Sequence, residues 1–451
     1  MRGSSIAGAT SRTSLLAAAA CILVFVPESL IPAAVPRSPA GQDQAPSRLW
    51  VLAEPDAIVE YDVATFAAAR ALKIPRRLFE HPEYLSVSAR GQMLYVPAPG
   101  THGDGGHGSA ADDRVWFWDG QRAREWTPAE PGSRGLRPQD PPTTEAVRQW
   151  FLSATGDSLF LFENRFEYRA EGATAGSEPQ RSVRASARVW RTDLAGGQRE
   201  EAVSVSSSGW CRCETGACPE TCPEWEFWAP DGVVGDFFLS TRITPGQLQT
   251  TYHESLVWRR SGSAWSATPL SEPVERFLAA SRQGDALIVA VPDGGCCGWD
   301  NEGSDQLRLL QHGKVLTLYD EFARYHNRNY DVSIYPADAR LAPGGSMVAY
   351  TLVSTSPVGG RIRLSSEGKD DPDALERVRT ARAALPAVEV VDLGSVPPPA
   401  TIVARARLVG WLTERELLVV RDGLLTACDR RGRATAVTPI RVRSAADAFL
   451  R

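Results

Sequence analysis

The chain has 451 residues, a formal net charge of −5 at pH 7, and 13 Trp against three Met. That length can bury a large core within one domain. The mildly acidic charge, with no basic stripe along the sequence, argues against a nucleic-acid partner. Abundant Trp with little Met suits aromatic strands better than helical packing.

Residues 1–40 predict a signal peptide or an uncleaved amino-terminal anchor. Arg2 and Arg12 precede an apolar run at residues 15–26, and Ser38-Pro39-Ala40 is a candidate small-residue cleavage site. Residues 41–47 are predicted to be a linker, and residues 48–451 one folded domain. We expect an extracytoplasmic protein, secreted or periplasmic, that meets a membrane only through its amino-terminal segment if that segment is retained.

Pairs of apolar segments around a glycine turn recur along the chain. The clearest pair is residues 341–353, which surround Pro343-Gly344-Gly345. Glycine accepts a positive φ, so it marks a place where one strand folds back on the next. Looser copies return roughly every 50 to 80 residues, around Gly91, Gly156 and Gly284 and within residues 408–420.

Each hairpin is followed by two further strands, as in Val115-Trp116-Phe117-Trp118 and the turn at Asp119-Gly120. An ordered repeat of four antiparallel strands is typical of β-propeller blades. A β-sandwich also has short strands and turns, but it need not repeat one ordered four-strand unit. The sequence therefore predicts an all-β fold, a single β-propeller of seven four-stranded blades.

The hairpin at residues 341–353 resembles the repeat of TolB-like and WD-repeat-like propellers. The consensus of that repeat is close to Ser-Pro-Asp-Gly followed by an apolar strand. Here Ala342-Pro343-Gly344-Gly345 is the nearest match, and it lacks the Asp. The other copies match only in shape. The resemblance therefore implies a fold and transfers no active site.

The predicted first blade has strands near residues 49–52, 58–61 and 71–74, and it lacks a fourth. A propeller commonly closes by borrowing a strand from the other terminus, and residues 441–443 are the predicted donor. Blades two to seven are predicted at residues 83–128, 148–206, 224–270, 275–319, 335–402 and 405–440.

Successive connections in an antiparallel blade alternate between the two ends of its strands. The first-to-second and third-to-fourth turns therefore share one face of the propeller, and nearly all of them are short. The predicted insertions fall on the opposite face, at residues 100–113, 127–146, 163–182, 206–223, 293–305, 319–335 and 354–386. Long loops in compact domains are usually functional or disordered, so we expect a binding face there. The alternative is that these insertions are surface loops without a function, which the fold tolerates.

One insertion contains a predicted short helix. Asp371 is placed to cap it, and Pro372 suits its first turn. Its apolar stripe consists of Ala374, Leu375, Val378, Ala381 and Leu385. We expect this stripe to dock the helix on the propeller.

Six cysteines fall in two connections of the insertion-rich face: Cys211, Cys213, Cys218, Cys222, Cys296 and Cys297. An oxidising compartment would favour three disulfides among them, and the sequence does not choose the pairing. A thiolate metal site is the alternative, although the four-cysteine segment is crowded for zinc and no histidine accompanies it. Cys428 is predicted to be a buried free thiol.

Three further groups are candidate sites. Asp300, Glu302 and Asp305 alternate as oxygen ligands of calcium do, although the segment departs from an EF-hand, and a solvated acidic turn is the alternative. Calcium is the one cofactor that the sequence suggests. The candidate ligand-binding residues are His102, Asp104 and His107 in a glycine-rich loop, together with Arg324, Tyr325 and His326. The histidine loop could also present metal ligands, and an ordinary loop is the alternative there.

Three functions compete on these observations. The preferred one is an exported propeller that binds a protein, peptide or glycan through the insertion-rich face, without catalysis. The second is an extracytoplasmic enzyme that uses the same face, and the third is a structural element without a pocket. No Gly-x-Ser-x-Gly motif occurs, which argues against a hydrolase. Cys296-Cys297 near Asp300 superficially resemble calcium quinoproteins, but the tryptophan-docking repeats of that family are not evident.

Overall fold

The computed structural model describes the propeller strands and many of their connections. The described residues are 47–53, 57–73, 82–97, 115–126, 144–153, 156–171, 180–195, 198–207, 210–212, 224–228, 237–245, 251–281, 284–291, 306–325, 330, 332–356, 360–364, 371–394 and 400–451. They belong to one compact unit, Asp43–Arg451. No helix among them is both long enough and apolar enough to cross a bilayer.

The strands form seven antiparallel sheets, which we number as blades I to VII along the chain. Blade I contains β1 (Arg48–Ala53), β2 (Ala57–Asp62) and β3 (Ala68–Lys73). Blade II contains β4 (Pro82–Val87), β5 (Met93–Pro97), β6 (Val115–Trp118) and β7 (Ala123–Trp126). Blade III contains β8 (Thr144–Leu152), β9 (Ser158–Glu171), β10 (Gln180–Asp193) and β11 (Arg199–Ser206), and the short β12 (Cys211–Arg212) pairs with β10.

The remaining blades repeat the same order. Blade IV contains β13 (Glu224–Trp228), β14 (Phe237–Pro245), β15 (Thr251–Ser261) and β16 (Ala264–Pro269). Blade V contains β17 (Arg276–Ala280), β18 (Ala286–Val291), β19 (Gln306–Gln311) and β20 (Lys314–Asp320). Blade VI contains β21 (Ile334–Leu341), β22 (Met347–Ser354), β23 (Ala387–Asp392) and β24 (Ala400–Ala404). Blade VII contains β25 (Ala406–Trp411), β26 (Glu416–Arg421), β27 (Leu424–Asp429) and β28 (Ala434–Arg441).

The last strand of the chain completes blade I. Strand β29 (Ala448–Leu450) pairs antiparallel with β1, with Leu450 opposite Leu49. The predicted seven-bladed propeller and its closure by the carboxyl-terminal end are therefore confirmed, but the predicted donor was wrong. Residues 441–443 are not the closing strand because Arg441 ends β28, and a 3₁₀ turn at Ala445–Asp447 leads from there to β29.

The apolar core lies between the blades. Seven clusters of buried residues occur, and each joins two neighbouring blades. One of them packs Leu49 of blade I against Leu418 of blade VII, so the ring of contacts closes. Strands such as β18 are buried along their whole length, whereas fourth strands such as β16 are largely exposed. Each blade is thus a buried middle with a solvated outer edge.

The two ends of the strands define two faces. The turn face carries the first-to-second and third-to-fourth connections of each blade, of which the longest are residues 229–236 and 393–399. The loop face carries the second-to-third connections and the links between blades. Its connections of eight or more residues are residues 74–81, 98–114, 127–143, 172–179, 207–223, 292–305, 321–333 and 355–386. The predicted concentration of insertions on one face is therefore present in the strand order.

The turn face is built from a repeated local motif. In blades II, III and V, the hydroxyls of Ser88, Ser153 and Ser281 accept the backbone N–H four residues further on, at 3.1–3.2 Å. A glycine with positive φ follows three residues after each serine. Blade VI has Ala342 instead of serine, and there Glu414 of blade VII accepts hydrogen bonds from the backbone N–H of Gly344 and the hydroxyl of Ser346. In blade VI, which has no serine at this position, a carboxylate of blade VII therefore accepts hydrogen bonds from the turn.

Two helices lie in loop-face connections. The predicted helix is α2 (Pro372–Ala384), and the Asp371 carboxylate caps it by accepting the N–H of Ala374 at 2.9 Å. Its predicted stripe packs on blades V and VI, with Ala374 and Val378 fully buried. The sequence did not predict α1 (Glu321–Tyr325), which is too short to show a helical period.

Candidate functional site

In blade III, two paired strands extend past the first strand of the blade on the loop face. Strands β9 and β10 stay paired as far as Glu171 opposite Gln180, beyond the last pair that β8 makes at Thr144. Residues 163–182 were predicted to be a loop, and that prediction was wrong because most of them continue these two strands. Strand β12 pairs with the same projecting part of β10, with Cys211 opposite Val183. The result is a strand-supported edge rather than an unsupported loop.

Among the described residues, two large exposed apolar side chains lie in loop-face connections. Trp210 directly precedes β12 and is 37% exposed, and Leu364 in the blade VI insertion is 47% exposed. Cys211 beside Trp210 is disulfide-bonded, and its partner lies outside the described residues. The six-cysteine network as a whole stays a prediction. Cys428 is a buried free thiol, as expected, and burial raises the pKa of that thiol.

Arg324 of α1 lies in a partly buried polar network. Its guanidinium donates to the Glu389 carboxylate at 2.6 Å and lies 4.6 Å from the ring centre of Tyr319. The hydroxyl of Tyr350 donates to the other Glu389 oxygen. Glu389 is 2% exposed, so water barely reaches its carboxylate. The carboxylate therefore depends on these two protein partners for hydrogen bonds. The network fastens the link between blades V and VI to the middle of blade VI.

Burial sets the protonation states in this network. Desolvation raises the pKa values of Tyr319, Tyr350 and Tyr325, so all three hydroxyls stay protonated at neutral pH and can donate hydrogen bonds. Desolvation acts to lower the pKa of Arg324, but Tyr350 and Glu389 outweigh it and raise that pKa. The guanidinium therefore remains charged and engaged with the protein's own carboxylate.

A second contact holds the helical insertion. The hydroxyl of Tyr330 donates to the carbonyl of Asp371 at 2.6 Å and accepts the N–H of Asp371 at 3.0 Å. Buried Arg382 of α2 donates to the carbonyl of Gly360 at 3.1 Å. The insertion of blade VI is therefore fixed at both ends of its helix.

Most predicted site residues fall outside the described part of the chain. These are His102, Asp104, His107, His326, Asp300, Glu302, Asp305, Cys213, Cys218, Cys222, Cys296 and Cys297. Calcium binding and the histidine-loop site therefore stay predictions. Within the described ranges, no three His, Cys, Asp or Glu side chains come together as a metal site would require. Arg324 and Tyr325 are brought together, and their role toward a ligand also stays a prediction.

Sequence reasoning missed Glu389 and Tyr350. The signal for Glu389 was present, because it interrupts the apolar run Ala387-Val388-Glu389-Val390-Val391, whose members are all buried. A carboxylate in such a strand requires a partner. The partner itself lies 65 residues away at Arg324, and no local pattern identifies it.

No family model and no curated protein matches the chain. Among solved structures, it is similar to the β-propeller domain of the Trilobed protease from Pyrococcus furiosus, described as having an open velcro topology. That similarity has a TM-score of 0.39 and 10% identity, over 82% of this chain and 83% of that one. A protein of unknown function from Bacteroides caccae aligns with a TM-score of 0.20 and 12% identity, over 62% of this chain and 95% of that one. Neither similarity transfers an activity.

Proposed function

We propose that this chain is an exported propeller that binds a protein, peptide or glycan through its loop face, without catalysing a reaction. The observation that carries this proposal is the asymmetry of the connections. Eight connections of eight or more residues leave the strand ends on the loop face, whereas the turn face has one, residues 229–236. Binding residues are disproportionately found on loops that a rigid scaffold positions.

The described parts of the loop face support a recognition surface. Trp210 and Leu364 expose apolar surface there, and large aromatic or apolar side chains are frequent anchors in protein interfaces. The connections that carry them are braced, by β12 on one side and by the Tyr330 and Arg382 hydrogen bonds on the other. Braced contact residues lose less entropy on binding.

Export is supported by the apolar run at residues 15–26 and by the disulfide at Cys211. Disulfides persist mainly in oxidising compartments.

The test compares two matched pairs of substitutions in the full chain. One is Trp210→Ser with Leu364→Ser on the loop face. The control is Val315→Ser with Val437→Ser, which removes exposed apolar side chains from the fourth strands β20 and β28. The unsubstituted chain first selects ligands from a random peptide library and a glycan array. Dissociation constants of the selected ligands are then measured for all three proteins by interferometry.

We expect the loop-face pair to weaken binding by at least about tenfold, as loss of an interface anchor does. The control pair should change the dissociation constant less than about twofold, because its side chains lie away from the loop face. Equal losses in both pairs, or the absence of any ligand from both libraries, would contradict the proposal. Thermal melts of the three proteins confirm that each is folded.

A further inference from the structure

The inference here rests on the proposed loop-face function and specifies the chemistry of the partner. Blade VII is strongly basic in an acidic chain, since residues 405–443 hold nine Arg and four Asp or Glu. All nine arginines are exposed. The local excess of positive charge therefore opposes the net charge of −5 for the whole protein.

Four of these arginines lie at the loop-face end of blade VII. Strand pairing places Arg421 opposite Ala406, level with the backbone between Arg405 and Arg407. Arg441 is opposite Leu424, on the far strand of the same sheet. The four are separated in sequence, and only the register of β25 to β28 brings them to one end of the blade.

Few carboxylates accompany them. Asp422 is the single acidic residue among positions 405–407, 421–424 and 441–443. Arg443 is paired with Asp447 at 3.2 Å, but no ion pair joins Arg405, Arg407, Arg421 or Arg441 to any described carboxylate. Four exposed arginines thus share this end of blade VII with one acidic residue of the same segments.

The connections within and next to blade VII are also short at this end. The chain links its strands there through Arg405, residues 422–423 and residues 442–447, in contrast to the long insertion of blade VI. The backbone N–H of Arg405 donates to the carbonyl of Ala384 at 2.9 Å, so the patch continues directly from the end of α2.

We propose that these four arginines, which we call the arginine patch, bind an acidic peptide segment of the partner. Guanidinium groups bind carboxylates in a bidentate fashion, and clustered carboxylates would complement the patch. A glycan is the weaker match, because sugar rings usually stack on exposed aromatic side chains. The described part of blade VII exposes none, and its Trp411 is only 4% exposed.

The test uses a fluorescent peptide of consecutive Asp and Glu residues and the full chain. A matched Asn/Gln peptide, a uronate oligosaccharide and vesicles containing phosphatidylglycerol serve as comparison probes. The variant R405Q/R407Q/R421Q/R441Q removes the arginine patch. The control R415Q/R430Q/R431Q/R433Q makes the same charge change in the turn-face connections of the same blade, where these residues are also exposed.

We expect the acidic peptide to bind at least about tenfold more tightly than the neutral peptide, and to weaken as salt rises. Removing the arginine patch should abolish that difference, whereas the turn-face variant should change it by less than about threefold. Thermal melts show whether each variant is folded. If a variant folds poorly, titration of the unsubstituted chain with the acidic and neutral peptides still tests the expected preference.

The inference would be overturned if the patch variant and the turn-face variant bound the acidic peptide equally. It would also be overturned if the unsubstituted chain bound only the uronate oligosaccharide or the vesicles. If the acidic peptide fails while library-selected ligands still depend on Trp210 and Leu364, the acidic-peptide inference alone falls. If no selected ligand depends on those residues, the loop-face proposal falls instead.

Discussion

Blades VI and VII share one strand scaffold and treat charge in opposite ways at the loop face. In blade VI, Glu389 is 2% exposed and is compensated by Arg324 and Tyr350 beneath a long insertion. In blade VII, the arginine patch is exposed, makes no ion pair with a described carboxylate, and lies where the strands of the blade are joined by short connections. Charge therefore fastens a connection to the strands in blade VI, whereas in blade VII it is exposed to solvent.

The largest expected effect is in blade VI. Glu389→Ala should lower the free energy of unfolding by about 3–5 kcal/mol, because it removes one partner of a largely buried ion pair. The double variant Arg324→Met with Glu389→Leu replaces the pair with apolar groups and should be less destabilising than Glu389→Ala. Urea unfolding of the full chain measures both changes. An equal loss in the two variants would mean that Arg324 does not depend on Glu389.

The hairpins of the propeller were predictable because their signals are local. A serine, a glycine three residues later and an apolar strand recur at Ser88, Ser153 and Ser281, and each turn makes its own hydrogen bonds. The cap of α2 was also predictable, since Asp371 and the N–H that it accepts are three residues apart. Such features need no knowledge of distant parts of the chain.

The remaining features depend on pairing between distant segments. Closure uses β29, a three-residue strand without a glycine turn to mark it, so the sequence pattern pointed to residues 441–443 instead. The arginine patch has no local signal for the same reason, because Arg405, Arg421 and Arg441 form no stripe in the sequence. Only the register of four strands shows that they are neighbours.

A second prediction concerns alkaline pH and the same network in blade VI. Desolvation, followed by the Glu389 charge, raises the pKa of Tyr350 well above its ordinary value of 10.0. At pH values well below 10, Tyr350 is protonated in both the folded and the unfolded chain, so it adds no pH dependence to the free energy of unfolding. Above it the unfolded chain loses this proton first, so the native state is favoured less as pH rises toward the folded pKa.

Tyr350→Phe removes this titration. Between pH 9 and pH 11 the free energy of unfolding should therefore fall by about 1 kcal/mol more in the unsubstituted chain than in the variant. Urea unfolding at pH 8, 9, 10 and 11 measures the two curves. The variant should also be less stable at pH 8, since it leaves Glu389 without one hydrogen bond. Parallel curves would show that the hydroxyl ionises as easily in the folded state as in the unfolded one.

The smallest effect is expected in blade VII, and it is the one that separates the two blades. Arg421→Gln and Arg441→Gln should each change the free energy of unfolding by less than about 0.5 kcal/mol, because exposed charges without partners contribute little. Either substitution could even stabilise the fold slightly by reducing repulsion within the arginine patch. Urea unfolding at low and high salt measures this, and any gain should shrink at high salt. A loss near that of Glu389→Ala would show that these arginines hold the blade together, and their availability to a partner would then be lost.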